Sequence, residues 1–484
     1  MALVERPALI RLPSMPAESW LVAGLLAAVA FAVAGLFAHP AEYGLAAVGC
    51  VAAGAAVYEP RLVGPLLAVA LPLEITKLAF PFLQTRSELG GGISSPTSIV
   101  DAGRLMVALA FAVWVVRPGR PRADVVPQSA LTVPLALLFA VYAFSTLWAF
   151  DAGGARTETL RLLFSLGGFA LVPFFVRDRA SLRWTLLAFV AAAGALAVLG
   201  AYQQVTGDFF WNEGLGRFGE RRINTTFADP NHFARFLLEG IVVAMMLWSF
   251  VRRELRWWLL SPAIAVSLLT LVFTGSRGAW AVGALLLPLA VMAMPIGRGA
   301  RLRIIGGGVA AILVTALAVA AVSPFFTKRV NTFTFGEEAL GARPYLVEAG
   351  FDMFGDHPLT GVGAGGYQAA FEEDYYAHKD PKIKANITAS HTSAVTIVAE
   401  LGVIGAVAVA FLALRWVAYV RGLARSHDIE LRTLVLGIGI VSAVIFLGSQ
   451  TEGRFLEDPF LWFFAGLAVA IEQLVVGPSR AGEA

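Results

Sequence analysis

The stretch ITASHTSAVTIVAELGVIGAVAVAFLALRW, residues 387–416, decides the fold class. Polar residues lead up to His391, and a long, mostly apolar run follows it. About 20 such residues cross a hydrocarbon core as a helix, because a helix bonds its own backbone polar groups where lipid cannot. His391 therefore stands at the mouth of a membrane span, either as a capping or anchoring residue or as a group that does chemistry. The whole chain has the same character. Of its 484 residues 58% are hydrophobic and 15% charged, against about 25% charged in soluble globular chains. A net charge of +3 argues against a nucleic-acid partner. Cys50 is the only cysteine, which excludes an intrachain disulfide and a Cys-rich metal site. The short basic start MALVERPALIRLPSMPAESW reads as the lead-in to an uncleaved first span.

Applied along the chain, the same length criterion gives fourteen candidate spans: 19–38, 42–58, 61–80, 97–116, 130–150, 158–177, 183–203, 228–250, 257–275, 278–296, 303–322, 392–420, 431–448 and 457–476. The second and third are short and closely spaced and could together be re-entrant, so the expected count is 12 to 14. Arg-rich loops follow even-numbered spans: RPGRPRAD (117–124), RDRASLR (177–183), VRRELR (251–256), GRGARLR (297–303) and RGLARSHDIELR (421–432). The positive-inside rule makes that side cytoplasmic, with both termini, and places residues 323–390 outside. The expectation is an all-α polytopic membrane bundle in three parts: spans over 1–322, a helical exterior loop over 323–390, and further spans over 391–484. Within the loop, ARPYLVEAGFDMFGDHP reads as an amphipathic helix with Pro344 in its first turn, and LTGVGAGGYQAAFEEDYY as a glycine-rich turn leading into a second helix.

Arginines on the exterior side run against the rule and are the informative ones. They are Arg217, Arg221 and Arg222 in GRFGERRINTTFADPNHFARF, Arg277 in FTGSRGAW, Arg343 in GARPYLVEAG, and Arg454 in TEGRFLEDP; Arg104 and Arg161 sit just inside outer span ends. A guanidinium is costly to desolvate, and its planar fork suits phosphate oxygens. Such a cluster at the bilayer surface fits a lipid-linked diphosphate. Asp101, Glu158 and Glu457 offer Arg104, Arg161 and Arg454 local partners, whereas Arg277 stands in a tight turn with only Thr274, Gly275, Ser276 and Gly278 around it. In FADPNHFARFLL a turn at Asp229-Pro230-Asn231 starts a span; capping explains Asn231, and His232 adds a second polar group at the outer surface.

His391 opens an inward-running span, so it lies at the depth of Arg277 and Asn231. Imidazole is the usual side chain for taking a proton from a hydroxyl near neutral pH. On one straight helix Glu400 would face away from it and lie about 13 Å deeper, as a buried structural carboxylate with a partner on another helix. FEEDYY (371–376) is the nearest acidic cluster to a metal site and reads as a solvated helix face, so no metal is expected.

FADPNHFARFL, FTGSRGAW, the loop segment ARPYLVEAGFDMFGDHPLTGVGAGGYQAAF and SHTSAVTIVAELGVIG, in that order, resemble the O-antigen ligase and polymerase superfamily of bacterial envelope proteins. The resemblance covers about 215–410; the spans before it match only in hydrophobicity. It implies a GT-C-like helical membrane fold and a metal-independent, inverting glycosyltransferase without a cofactor. Its implied donor is a glycan on undecaprenyl diphosphate, and its acceptor a sugar hydroxyl of lipid A–core or of a growing glycan. The implied place is the periplasmic face of the bacterial inner membrane. By the same resemblance Arg277 and Arg343 hold the donor diphosphate, and His391 is the base for the acceptor hydroxyl. Arg221 and Arg222 are further diphosphate candidates, with Asn231, His232, Ser276 and Tyr345 in support. One position departs: the family usually has His-Asn, and here Thr392 follows His391. A single clear exterior loop favours a ligase over a polymerase. The rival from another class is a flippase or other transporter, for which Glu74 and Lys77 in LEITKLAF are the best intramembrane pair.

Overall fold

The computed structural model describes residues 24–29, 40–73, 102–116, 127, 129–209, 222–227, 229–322, 343–375, 390–453 and 455–476. Among these residues there is no strand. Each of the fourteen candidate ranges holds helical residues, the first of them at 24–29. The helices are α1 (Pro40–Tyr58), α2 (Val63–Ala70), α3 (Ala102–Val116), α4 (Thr132–Ser145), α5 (Ala152–Phe175), α6 (Arg179–Thr206) and α7 (Pro230–Leu247). After them come α8 (Arg253–Phe273), α9 (Arg277–Ala293), α10 (Arg298–Val322), α11 (Arg343–Asp356), α12 (Tyr367–Ala370), α13 (Ser393–Leu423), α14 (Ile429–Glu452) and α15 (Pro459–Val476). By length and composition α5, α6, α8, α13, α14 and α15 can each cross a membrane. The helical segment Pro60–Ala70, in the doubtful third range, is only about 16 Å long at 1.5 Å per residue, half the hydrocarbon thickness.

α7 is the centre of the bundle. It packs against α6, α8, α9 and α14, and only Asn231 and His232 escape full burial along it. An aromatic cluster locks it to its neighbours: Phe189 of α6 meets Phe236 of α7 and Phe460 and Phe464 of α15 edge to face, with centroids 5.0–5.8 Å apart.

The connections sort to two ends. At one, Arg61 lies 3.6 Å from Asp178, Arg179 pairs with Asp428, and Arg183 Nη2 donates to Glu430 at 2.6 Å. Segments 177–183 and 421–432, both assigned to one side by their arginines, therefore share an end. At the opposite end the α4–α5 connection meets the long loop: Phe150 N donates to Val362 O at 2.8 Å and Ala364 N to Ser145 Oγ at 3.2 Å.

α11 begins at Arg343 with Pro344 in its first turn, and α12 follows a turn with glycines at positive φ (Gly361, Gly363, Gly365) before continuing through Tyr375. Glu372, Glu373 and Asp374 are exposed. This helix pair docks onto a break in α13. Gly402 (φ 61°, ψ −158°) interrupts that helix, freeing two carbonyls before it and two N–H groups after it. The turn fills all four: Val362 N donates to Ala399 O (2.9 Å) and Gly363 N to Glu400 O (2.8 Å). Val403 N donates to Pro358 O (2.9 Å) and Ile404 N to Leu359 O (3.2 Å).

The straight-helix picture of 391–400 is corrected here, because α13 starts only at Ser393 and His391, at φ 55°, lies before it. Glu400 is buried with a partner on another helix, as expected: its Oε1 accepts from Tyr367 N at 3.2 Å, at the start of α12 in the long loop. Arg161 pairs with Glu158 as its spacing suggested. Arg217, Arg221, Arg454, Glu74 and Lys77 lie outside the described residues.

Candidate active site

The turn before α9 presents Arg277. Thr274 ends α8, Gly275 takes φ 62°, and Ser276 caps α9 by accepting from Ala279 N at 3.4 Å. Arg277 is the first residue of the helix, half-buried, beside the unbonded N–H groups that give a helix start its partial positive charge. α7 starts at the same end. The expectation that Asn231 caps it is corrected: Asp229 is the cap, accepting from Asn231 N at 2.6 Å, and Pro230 takes the first position. That releases the Asn231 side chain, whose Oδ1 accepts from Arg222 Nη2 at 2.9 Å. Arg222 Nε also donates to Thr274 O at 2.8 Å, so this arginine ties the start of α7 to the Arg277 turn.

Arg343, the first residue of α11, donates from Nη2 to Thr451 O at 2.8 Å. Burial pulls its guanidinium below the ordinary arginine range, against the upward pull of the Asp229 and Glu452 carboxylates. His391 precedes α13 with φ 55°, a left-handed conformation uncommon for a residue with a Cβ. Its neighbours are pinned: Ser390 Oγ accepts from Thr392 N at 3.1 Å and lies 2.9 Å from Thr396 Oγ1. Thr392 occupies the N-cap position of α13, where asparagine and threonine are both favoured. The departure after His391 thus keeps a capping residue type at that position.

These segments converge on one turn that sequence reading did not single out, Ser449–Glu452 at the end of α14. Ser449 Oγ lies 2.8 Å from Ser393 Oγ, and Gln450 donates to Ser393 Oγ (2.7 Å) while accepting from Ala394 N (3.3 Å). Thr451 gives its carbonyl to Arg343, and its side chain fits against Gly278, where a Cβ would lie 2.4 Å from Oγ1. Glu452 Oε2 lies 3.5 Å from His232 Nε2. One helical turn, about 5.4 Å of rise, therefore contacts the Arg277 turn, Arg343, the segment just after His391, and His232. Tyr345, 38% exposed on the first turn of α11, makes no hydrogen bond among the described residues.

Sequence reading also passed over Arg235, which with Glu452 and Asp458 forms a buried ion cluster beneath this turn. The signal was present in FARFLLEG: an arginine and a glutamate four residues apart inside an apolar helix. Among the described residues no group of three His, Cys, Asp or Glu side chains is placed to hold a metal ion.

The arrangement offers two kinds of chemistry at one end of the bundle. Guanidinium groups beside a helix start can neutralise a phosphate-bearing leaving group, and an imidazole on a fixed backbone can accept a proton. Among known proteins, residues 262–410 match the family described as O-antigen ligase; no curated protein matches the chain significantly. The matched span runs through Arg277, Arg343 and His391 and stops before the 449–452 turn. Over that stretch, about a third of its length, the chain is similar to the O-antigen ligase family, in line with the order of its motifs.

Proposed function

We propose that the protein is an O-antigen ligase-type glycosyltransferase that moves a glycan from undecaprenyl diphosphate to a sugar hydroxyl of lipid A–core at the periplasmic face of the inner membrane. The observation that supports it is the seating of the Arg277 turn, Arg343 and the His391 segment around residues 449–452. In the proposed reaction the acceptor oxygen attacks the anomeric carbon of the donor sugar, from the face opposite the diphosphate. The C–O bond to the diphosphate breaks as the new glycosidic bond forms, which inverts the anomeric centre. The acceptor proton passes to the His391 imidazole. Arg277 and Arg343, with the start of α9, neutralise the departing diphosphate, and Arg222 holds the Arg277 turn in place. This route assigns charge stabilisation to arginine and requires no metal.

The test is transfer by purified protein supplied with lipid-linked donor and lipid A–core acceptor and no other energy source. Net transfer supports the enzyme; movement of donor between leaflets without transfer would support a flippase instead. Loss of the gene separates the two enzyme readings. A ligase mutant accumulates carrier-linked polymer and leaves lipid A–core uncapped, whereas a polymerase mutant shows single repeat units.

Arg277→Lys should keep the positive charge yet lower turnover on the order of 10- to 100-fold, because a point charge cannot reproduce bidentate contact with phosphate oxygens. Steady-state kinetics at saturating acceptor measures this. A lysine variant as fast as the parent would remove Arg277 from the diphosphate site.

A further inference from the structure

α7 carries its one arginine deep among apolar neighbours. Arg235 is 3% exposed; it donates from Nη1 to Glu452 Oε1 at 2.8 Å and from Nη2 to Asp458. Its Nε lies 3.9 Å from Glu239, one turn along the same helix. Glu452 is the last residue of α14. Asp458 precedes α15 and accepts from Phe460 N at 2.8 Å with its other oxygen. One guanidinium fork thus grips both ends of the α14–α15 connection from a third helix. The fit is close, since a Cβ at Gly448 would come within 3.1 Å of Arg235 Cδ and 3.0 Å of Glu452 Oε1.

A buried ion cluster of this kind is a poor source of stability, because desolvation offsets most of the Coulombic gain. What it does supply is geometry. Glu452 ends the turn whose preceding residues hold the site: Thr451 takes Arg343 on its carbonyl and Gly278 against its side chain, and Ser449 and Gln450 hold residues 393–394. We infer that Arg235, acting through Glu452 and Asp458, is a positioning residue for glycan transfer. It sets the 449–452 turn that holds the diphosphate-binding arginines and the base in register. The inference rests on the function proposed above and lies outside the span that matches the family.

The test uses the full-length protein in lipid nanodiscs, as parent, Arg235→Lys and Glu452→Gln. Lysine keeps the charge but cannot reach both carboxylates at once; glutamine keeps an oxygen for Arg235 without the charge. Both variants should melt lower than the parent, because each breaks a buried ion pair. At a temperature where all are folded, donor KM should stay parental while kcat falls by about 10- to 100-fold, the cost of misplacing reacting groups by a fraction of an ångström to 1 Å. Hydrogen exchange reads positioning without any substrate. Amides at 277–281, 343–347 and 392–396 should exchange faster together in both variants, while 179–183 and 429–433 at the opposite end stay unchanged. Unchanged exchange at the three site segments would overturn the inference, as would activity that merely tracks the folded fraction. If the parent shows no transfer, the proposed function fails and the exchange result still decides the positioning role. Should Arg235→Lys not fold, Glu452→Gln carries both measurements.

Discussion

Replacing His391 with asparagine should slow glycan transfer by about 10²–10⁴-fold, the usual contribution of a positioned general base, while leaving the fold intact. Asparagine is the right replacement because of the backbone. His391 sits at φ 55°, a region that asparagine and histidine visit far more readily than most residues with a Cβ. The Ser390–Thr392–Thr396 bonds on either side stay available to hold the same conformation. His391→Ala should lose the same activity and in addition about 1 kcal/mol or more of stability from the left-handed backbone. The pair therefore separates chemistry from conformation. Turnover by the asparagine variant within about threefold of the parent would remove His391 as the base. Turnover lost only in the alanine variant would make His391 a backbone residue and nothing more.

The parts of this architecture that depend on length and composition were legible before any coordinates. Hydrophobic run length marks helices, and every range it marked holds helical residues. Arginine-bearing loops 177–183 and 421–432 meet at one end through Arg179, Arg183, Asp428 and Glu430. The candidate site was legible where a residue violated its local surroundings: Arg277 in a turn with no acid beside it, Arg343 at a helix start, His391 at the mouth of a span. What escaped was every feature created by contact between distant segments. Arg235 and Glu452 are 217 positions apart, and although Arg235 stands out inside an apolar helix, nothing local names Glu452 as its partner. Ser449–Thr451 is a short polar tail on a hydrophobic helix, and only packing makes it the meeting point of three loops. Asn231 and Asp229 compete for the same capping role two residues apart, and spacing alone could not choose between them. The break at Gly402 was hidden because glycine is common within membrane helices, and no proline marks the bend.

That break carries the largest expected loss of stability. Gly402→Ala should destabilise the protein by about 3–5 kcal/mol, the sum of backbone strain and of several docking hydrogen bonds. Gly402 lies at φ 61°, ψ −158°, a region that is essentially glycine's alone. A Cβ there would also stand 2.4 Å from the carbonyl carbon and oxygen of Leu359. Helix straightening offers no escape: it would re-form bonds within α13 but strip the 358–363 turn of the four backbone bonds that dock it. Gly361 faces the same obstacle from the other side, with φ 63° and a would-be Cβ 2.3 Å from the Glu400 carbonyl carbon. Gly361→Ala should therefore cost a comparable amount. Gly422, further along α13 with open space around it, is the control; alanine there should be neutral or stabilising by up to about 1 kcal/mol. Thermal denaturation in detergent ranks the three, and amide exchange across 358–363 and 399–404 shows where the loss occurs. Because α11 is anchored through this junction, the two destabilised variants should also lose transfer through misplacement of Arg343. If Gly402→Ala melts with Gly422→Ala and keeps its exchange protection, the docked turn is not what holds the long loop over the site.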